Sequence, residues 1–233
     1  MTRPRLAAPT SGRLVAAIAA GLGALIVVLV ALLLIRPPIV EDERLAIPRN
    51  GDGGIDAVFL GGTLTDGVFA SREELGFRPL VVAALGEGLN ESRGGVESSP
   101  LLEAADAVDV SPDADLVIIE LGSGDVWAVP DDQFEAEYER VVARVRDAAP
   151  DAALLCLGVW NDSQAAALYD DAVRGPCLRA GGRFIGLSDL FEQPAMRGVA
   201  GEPAYPGPAD GFHPSDAGYQ AIAERILAEL RLD

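Results

Sequence analysis

DAVFLGGTLTDG, Asp56 to Gly67, passes from a short apolar run into three glycines that surround two threonine hydroxyls. A continuous rather than alternating run such as Ala57–Leu60 suits a strand buried on both faces. Gly61, Gly62 and Gly67 then mark a tight turn where that strand ends. The Thr63 hydroxyl in this turn is either a helix cap or a nucleophile, and the rest of the chain has to decide between them.

Outward from this stretch, further apolar runs stand at Leu80–Leu85, Leu116–Leu121, Ala153–Val159 and, more weakly, Arg183–Leu187. Each reads as a strand. Helical patterns lie between them. DDQFEAEYERVVARVRDAA opens at Asp131 with acids in its first turn and sets Phe134, Tyr138, Val141, Val142 and Val145 on one stripe. SQAAALYDDAVRGP begins at a capping Ser163 and stops at Gly175–Pro176. SDAGYQAIAERILAELRL starts at Ser215 or Asp216 and buries Ile222, Ile226, Leu227 and Leu230. Alternating strands and helices imply a parallel sheet with helices on both faces, and ligands in such sheets bind at the carboxyl ends of the strands.

The first residues carry a different signal. Leu14–Ile35 holds no charge and is long enough to span a bilayer core of about 30 Å. Arg3, Arg5 and Arg13 precede it without an acid, so the charge rule puts residues 1–13 in the cytoplasm and the chain beyond Arg36 outside. A cleaved signal peptide is the alternative, but its apolar core is usually only about 7–15 residues. The expected organisation is therefore an anchor over residues 14–35, a Pro- and Gly-rich linker over 36–55, and one extracytoplasmic α/β domain over 56–233. The chain carries a formal net charge of −18 and has no lysine. Since Arg3, Arg5, Arg13 and Arg36 are the only charges in the first 36 residues, the exported part carries −22. That balance excludes a nucleic-acid partner. Cys156 and Cys177 are the only cysteines; outside the cell they either form one disulfide or remain small core residues.

Read in order, the strand ends give GGTLTDG, LGEGLN and LGSGDV, and DGFHPSDAGY precedes the last helix. His213 is the sole histidine, in a loop rather than on an apolar face, with Asp210 three residues before it. Such an aspartate can fix the imidazole tautomer and leave the other ring nitrogen as a general base for a nearby hydroxyl.

These blocks resemble those of the SGNH/GDSL hydrolases. Gly61, Leu64, Thr65 and Gly67 match that family's first block in register, Gly86 its second, Gly122 and Asp125 its third, and Asp210, His213 and Pro214 its last. The resemblance implies a three-layer α/β/α, flavodoxin-like fold and hydrolysis or transfer of ester-linked acyl groups, with no metal or organic cofactor. It implies Thr63 as nucleophile, His213 as base, Asp210 as its orienting partner, and N–H groups of Thr63 and Gly86 as the oxyanion hole. The chain departs from the pattern at three places. Thr63 stands where the family has serine, Gly62 where it has aspartate, and Gly124 where it has the oxyanion asparagine. Asn161 is a substitute donor on this reading, or else a cap of the next helix; Asn90 is a weaker one. The expected partners are the membrane and an acylated small molecule, glycan or lipid of the cell envelope. The alternative is the same fold, catalytically impaired, binding envelope carbohydrate.

Overall fold

The computed structural model describes residues 44–48, 54–86, 89–95 and 109–232. The Leu14–Ile35 run lies outside them, and among the described residues no helix is long and apolar enough to cross a membrane. A central sheet is formed by β2 (Ile55–Gly61), β3 (Leu89–Gly95), β4 (Leu116–Glu120), β5 (Ala153–Leu157) and β6 (Arg183–Ile185). All its pairings are parallel, in the order β3-β2-β4-β5-β6. That is the flavodoxin-like order, in which the first strand of the sheet is flanked by the second and the third, so the switch point falls at its carboxyl end.

The strand residues alternate between two cores, as a period of two requires. Val58, Leu60, Val117, Ile119, Leu154 and Cys156 face one side. There they meet Phe134, Tyr138, Val141 and Val145 of α2 (Asp131–Ala148) and Tyr169 and Val173 of α3 (Ser163–Arg179). Ala57, Phe59, Leu116, Ile118, Leu155 and Leu157 face the other side. They pack on Phe77 and Val81 of α1 (Phe77–Leu85) and on Tyr219, Ile222 and Ile226 of α5 (Asp216–Ala228). A short α4 (Ser188–Phe191) joins this second layer. The buried stripe of α2 includes each residue that its sequence spacing selects.

Several expectations are corrected. Leu80–Leu85 is not a strand but the end of α1, and the second strand of the sheet is the polar LNESRGG of β3. β3 lies at the edge of the sheet, where apolar residues on both faces are not required. The cap of α3 is Asp162, whose side chain accepts from the N–H groups of Gln164 and Ala165, not Ser163. That helix runs on through Gly175 and Pro176 to Arg179. Cys156 of β5 and Cys177 of α3 are joined in a disulfide, which fastens its last turns to the sheet. The folded unit starts at Arg44, inside the segment read as a linker. β1 (Leu45–Ile47) pairs in parallel with β7 (Leu230–Leu232), so the two ends of the unit share a small second sheet.

Candidate active site

The Asp56–Gly67 stretch ends β2 at the switch point, and its turn is built by hydrogen bonds from Asp66 N–H to the Gly62 carbonyl and from Val68 N–H to the Thr63 carbonyl. Leu64 and Thr65 are buried, whereas Thr63 points to solvent. The two threonines of the turn are thereby separated in role. Thr65 is held inside, and Thr63 presents its hydroxyl at the surface.

Thr63 Oγ1 lies 3.0 Å from His213 Nε2, across 150 residues of sequence. His213 Nδ1 lies 2.7 Å from Asp210 Oδ2. Asp210 Oδ1 accepts the backbone N–H groups of Phe212 (2.8 Å) and His213 (3.0 Å), which closes the DGFH loop on its own carboxylate. Partial burial works to raise the Asp210 pKa, but these N–H bonds and the imidazole outweigh it and hold the carboxyl below its usual range. An anionic Asp210 accepts a proton-bearing Nδ1, so Nε2 carries the lone pair that faces the Thr63 hydroxyl. The imidazole packs edge-to-face with two rings, Phe69 at 5.0 Å and Phe212 at 5.5 Å between centroids. Phe69 is held in left-handed backbone (φ 67°), its N–H bonded to the Tyr205 carbonyl. α5 braces the turn from beneath. Tyr219 donates to the Val68 carbonyl at 2.6 Å, and Asp216 accepts from the N–H and hydroxyl of Ser71.

The other residues singled out in the sequence fall elsewhere. Gly86 is the C-cap of α1, with φ 95°, and comes before Leu89, whose register partner is Ile55 at the amino end of β2. It is thus at the opposite end of the sheet from Thr63. The length of β2, about 20 Å at roughly 3.3 Å per residue, separates them. The glycine that does stand at the carboxyl end of β3 is Gly95, in register with Gly61. Gly94–Gly95 closing a polar strand is a signal that apolar runs do not carry. Asn90 pairs with Asp56, again at the amino end. Asn161 accepts the Asp162 N–H on its Oδ1 at 2.9 Å and so acts at the start of α3. Gly124 is exposed in the loop after β4, and offers no side chain.

Glu120, which the sequence reading missed, ends β4 directly beside Gly61. It is a carboxylate in a strand that is otherwise wholly apolar, which is the signal that marks it. Burial pushes its pKa up to about 7, against hydrogen bonds from Ser123, Thr65 and Gly62 that favour the anion. In the same β4–α2 loop, Trp127 is 71% exposed and sits in left-handed backbone (φ 68°), its N–H donated to the Tyr169 hydroxyl.

Comparison with known proteins places this geometry in context. The profile of the GDSL-like lipase/acylhydrolase family matches residues 59–221. No curated protein matches the chain. Among solved structures, an α/β hydrolase enzyme from the metagenome of Lake Arreo, Spain, is 21% identical, with TM-score 0.57, over 75% of this chain and 94% of that one. The phospholipase A1 of Streptomyces albidoflavus NA297 is 14% identical, with TM-score 0.54, over 75% and 98%. A family two carbohydrate esterase from Clostridium thermocellum, solved with cellohexaose, is 20% identical, with TM-score 0.52, over 75% of this chain and 63% of its own length. The chain therefore spans less than two thirds of that esterase. These likenesses show a common fold.

Proposed function

We propose a function on the premise that this chain belongs to the GDSL-like lipase/acylhydrolase family, a family of hydrolases that act on esters: it is a membrane-anchored, extracytoplasmic acyl esterase whose nucleophile is Thr63. The observation that carries the reading is the continuous path Thr63 Oγ1–His213 Nε2, His213 Nδ1–Asp210 Oδ2, with each gap at hydrogen-bond length.

In the first step Thr63 Oγ1 attacks the ester carbonyl carbon while its proton passes to His213 Nε2. The carbonyl oxygen becomes an oxyanion, held by backbone N–H groups at Thr63 and at Gly95, the glycine next to the turn by register. Collapse of the intermediate expels the alcohol, which takes the proton from His213 and leaves an acyl–Thr63 ester. Water then attacks that ester, with His213 as its base, and frees the carboxylic acid and the Thr63 hydroxyl. Asp210 stays ionised throughout and stabilises the imidazolium in both halves. With glycine at 124 the hole lacks a side-chain donor, and such a donor is worth about 100- to 1000-fold in rate. The Thr63 methyl also stiffens the attacking torsion. The enzyme is accordingly slow.

Acylated envelope glycans are the favoured substrates. Exposed Trp127 stands on a loop at the carboxyl end of the sheet, where an indole face can cover the apolar face of a sugar ring. The similar Clostridium thermocellum esterase acts on carbohydrate. The disulfide suits an oxidising compartment, and Leu14–Ile35 supplies the anchor.

The test is hydrolysis of an aryl acetate by the full chain and by Thr63→Ala, His213→Ala and Thr63→Ser. Silent alanine variants and a faster serine variant support the reading. Alanine variants as active as the parent overturn it. Activity that arises only in Thr63→Ser selects a carbohydrate-binding module instead.

A further inference from the structure

Beneath the Thr63 turn lies a carboxylate that the acyl-transfer steps do not use. Glu120 is 3% exposed. Its Oε2 accepts the Thr65 hydroxyl at 3.2 Å, and its Oε1 accepts the Ser123 hydroxyl at 3.2 Å. The backbone N–H groups of Thr65 and Gly62 donate to it as well. Ser123 Oγ in turn accepts the Trp160 backbone N–H at 2.9 Å. The Trp160 indole N–H donates to the carbonyl of Phe212, the residue before His213, at 2.8 Å. Position 61 must be glycine for this to exist, because a Cβ there would stand 1.8 Å from Thr65 Oγ1. One buried group thus binds the nucleophile turn from below and reaches, through two further residues, the loop that carries the base.

We propose that Glu120 is a positioning residue: by binding the Gly62–Thr65 turn directly and the His213 loop through Ser123 and Trp160, it sets the distance and alignment between Thr63 Oγ1 and His213 Nε2. The proposal rests on the reading of Thr63 as nucleophile, and extends it to how the pair is held. The ionised carboxylate accepts from every donor around it. Once it is protonated, one of its oxygens must donate rather than accept, so a bond from the Thr65 or Ser123 hydroxyl is reversed, or one from a backbone N–H is lost, and the hold on the turn changes. Both forms are present near neutral pH. Tyr138 from α2 and Tyr219 from α5 face Glu120. Burial first, and then the charge of Glu120, push both phenols upward, so they stay neutral. Asp210 and His213 stand at the far end of the Trp160–Phe212 link.

The experiment uses the full chain, the parent beside Glu120→Gln, Glu120→Asp and Ser123→Ala. One readout is kcat and KM on an aryl acetate between about pH 5 and 9. The other is nuclear magnetic resonance of the Trp160 indole, which does not itself titrate; the chain has two tryptophans, which a Trp127→Phe variant tells apart. The expected parent shows an inflection near neutral pH in the Trp160 indole signal. Glu120→Gln is expected to lower kcat about 10- to 100-fold, as for a misplacement of the order of 1 Å, with KM within about twofold. It also removes the inflection from the Trp160 signal. Glu120→Asp keeps the inflection. Ser123→Ala breaks it, and decides the matter if Glu120→Gln does not fold. An unchanged kcat in Glu120→Gln, a loss carried by KM alone, or a Trp160 inflection that survives in that variant overturns the proposal. If the parent does not hydrolyse esters, the nucleophile reading fails on its own, and the Trp160 signal still decides whether Glu120 holds the loops.

Discussion

Removing the Cys156–Cys177 cross-link tests the architecture at the point where the last turns of α3 are fastened to the sheet. Both sulfurs are fully buried, and the bond closes a loop of 21 residues. Closing a loop of that length restricts the unfolded chain by about 3 kcal/mol in the loop-entropy account. Each alanine also removes one buried sulfur, adding roughly 1 kcal/mol of lost packing. Cys156→Ala alone already abolishes the bond, so it should cost about 4 kcal/mol, and adding Cys177→Ala only about 1 more. For a domain of this size that first loss corresponds to a Tm lower by about 8–16 °C. Urea unfolding of the full chain, followed by the fluorescence of buried Trp160 in a Trp127→Phe background, measures it. The signature is non-additivity: two single variants nearly as unstable as the double. If the double variant's loss equals the sum of the singles, or if no variant loses more than about 1 kcal/mol, the bond does not hold α3 to the sheet and the reasoning fails.

Other outcomes follow from the site. The pKa of Glu120 is raised from 4.5 to about 7 and that of Asp170 from 3.8 to about 6, in each case chiefly by burial. The folded chain then binds more protons than the unfolded chain across those intervals, so stability should fall as pH rises from about 4 to 7 and level off above. The Glu120 part is up to about 3 kcal/mol, and thermal melts of Glu120→Gln should show a shallower fall above pH 5. Trp127→Ala should raise KM for an acetylated oligosaccharide several-fold and leave the aryl acetate unaffected; equal effects on both esters, or none, would remove Trp127 from sugar recognition. Gly61→Ala forces a Cβ to within 1.8 Å of Thr65 Oγ1 and 2.7 Å of the Glu120 carbonyl. It should cost at least about 3 kcal/mol in urea unfolding, and a loss under about 1 kcal/mol would show that the turn yields freely.

The sheet's interior was legible in the sequence because strands buried on both faces leave continuous apolar runs, as at Ala57–Leu60, Leu116–Leu121 and Ala153–Val159. The same rule misread Leu80–Leu85. That run carries Ala83 and Ala84, strong helix formers, and only Phe77 and Val81, four residues apart, are buried in the helix it belongs to. The true second strand is polar because it is the edge, so its register, and with it the shift from Gly86 to Gly95, lay beyond any hydrophobic pattern. β1 and β7 are three residues each, too short to show a period. Thr63, Asp210 and His213 were legible as residues through their turn chemistry and spacing in blocks. Their approach across 150 residues followed from the family resemblance and not from any local pattern, since physically it depends on which strands neighbour β2. Glu120 was visible only as an anomaly, and its meaning comes from the hydroxyls and N–H groups that the fold gathers around it.

The pairing of Leu45–Ile47 with Leu230–Leu232 has a consequence for engineering. Because the start and the end of the folded unit lie in adjacent strands, the polypeptide is nearly a closed ring, and the position of its ends is a matter of where the ring is cut. A linker of about six residues is long enough to return from Leu232 past the length of the short strand to Arg44. New ends opened in the exposed Val199–Tyr205 stretch would then yield a circular permutant with the same five-stranded sheet. In such a permutant Asp210 and His213 would precede Thr63 along the chain.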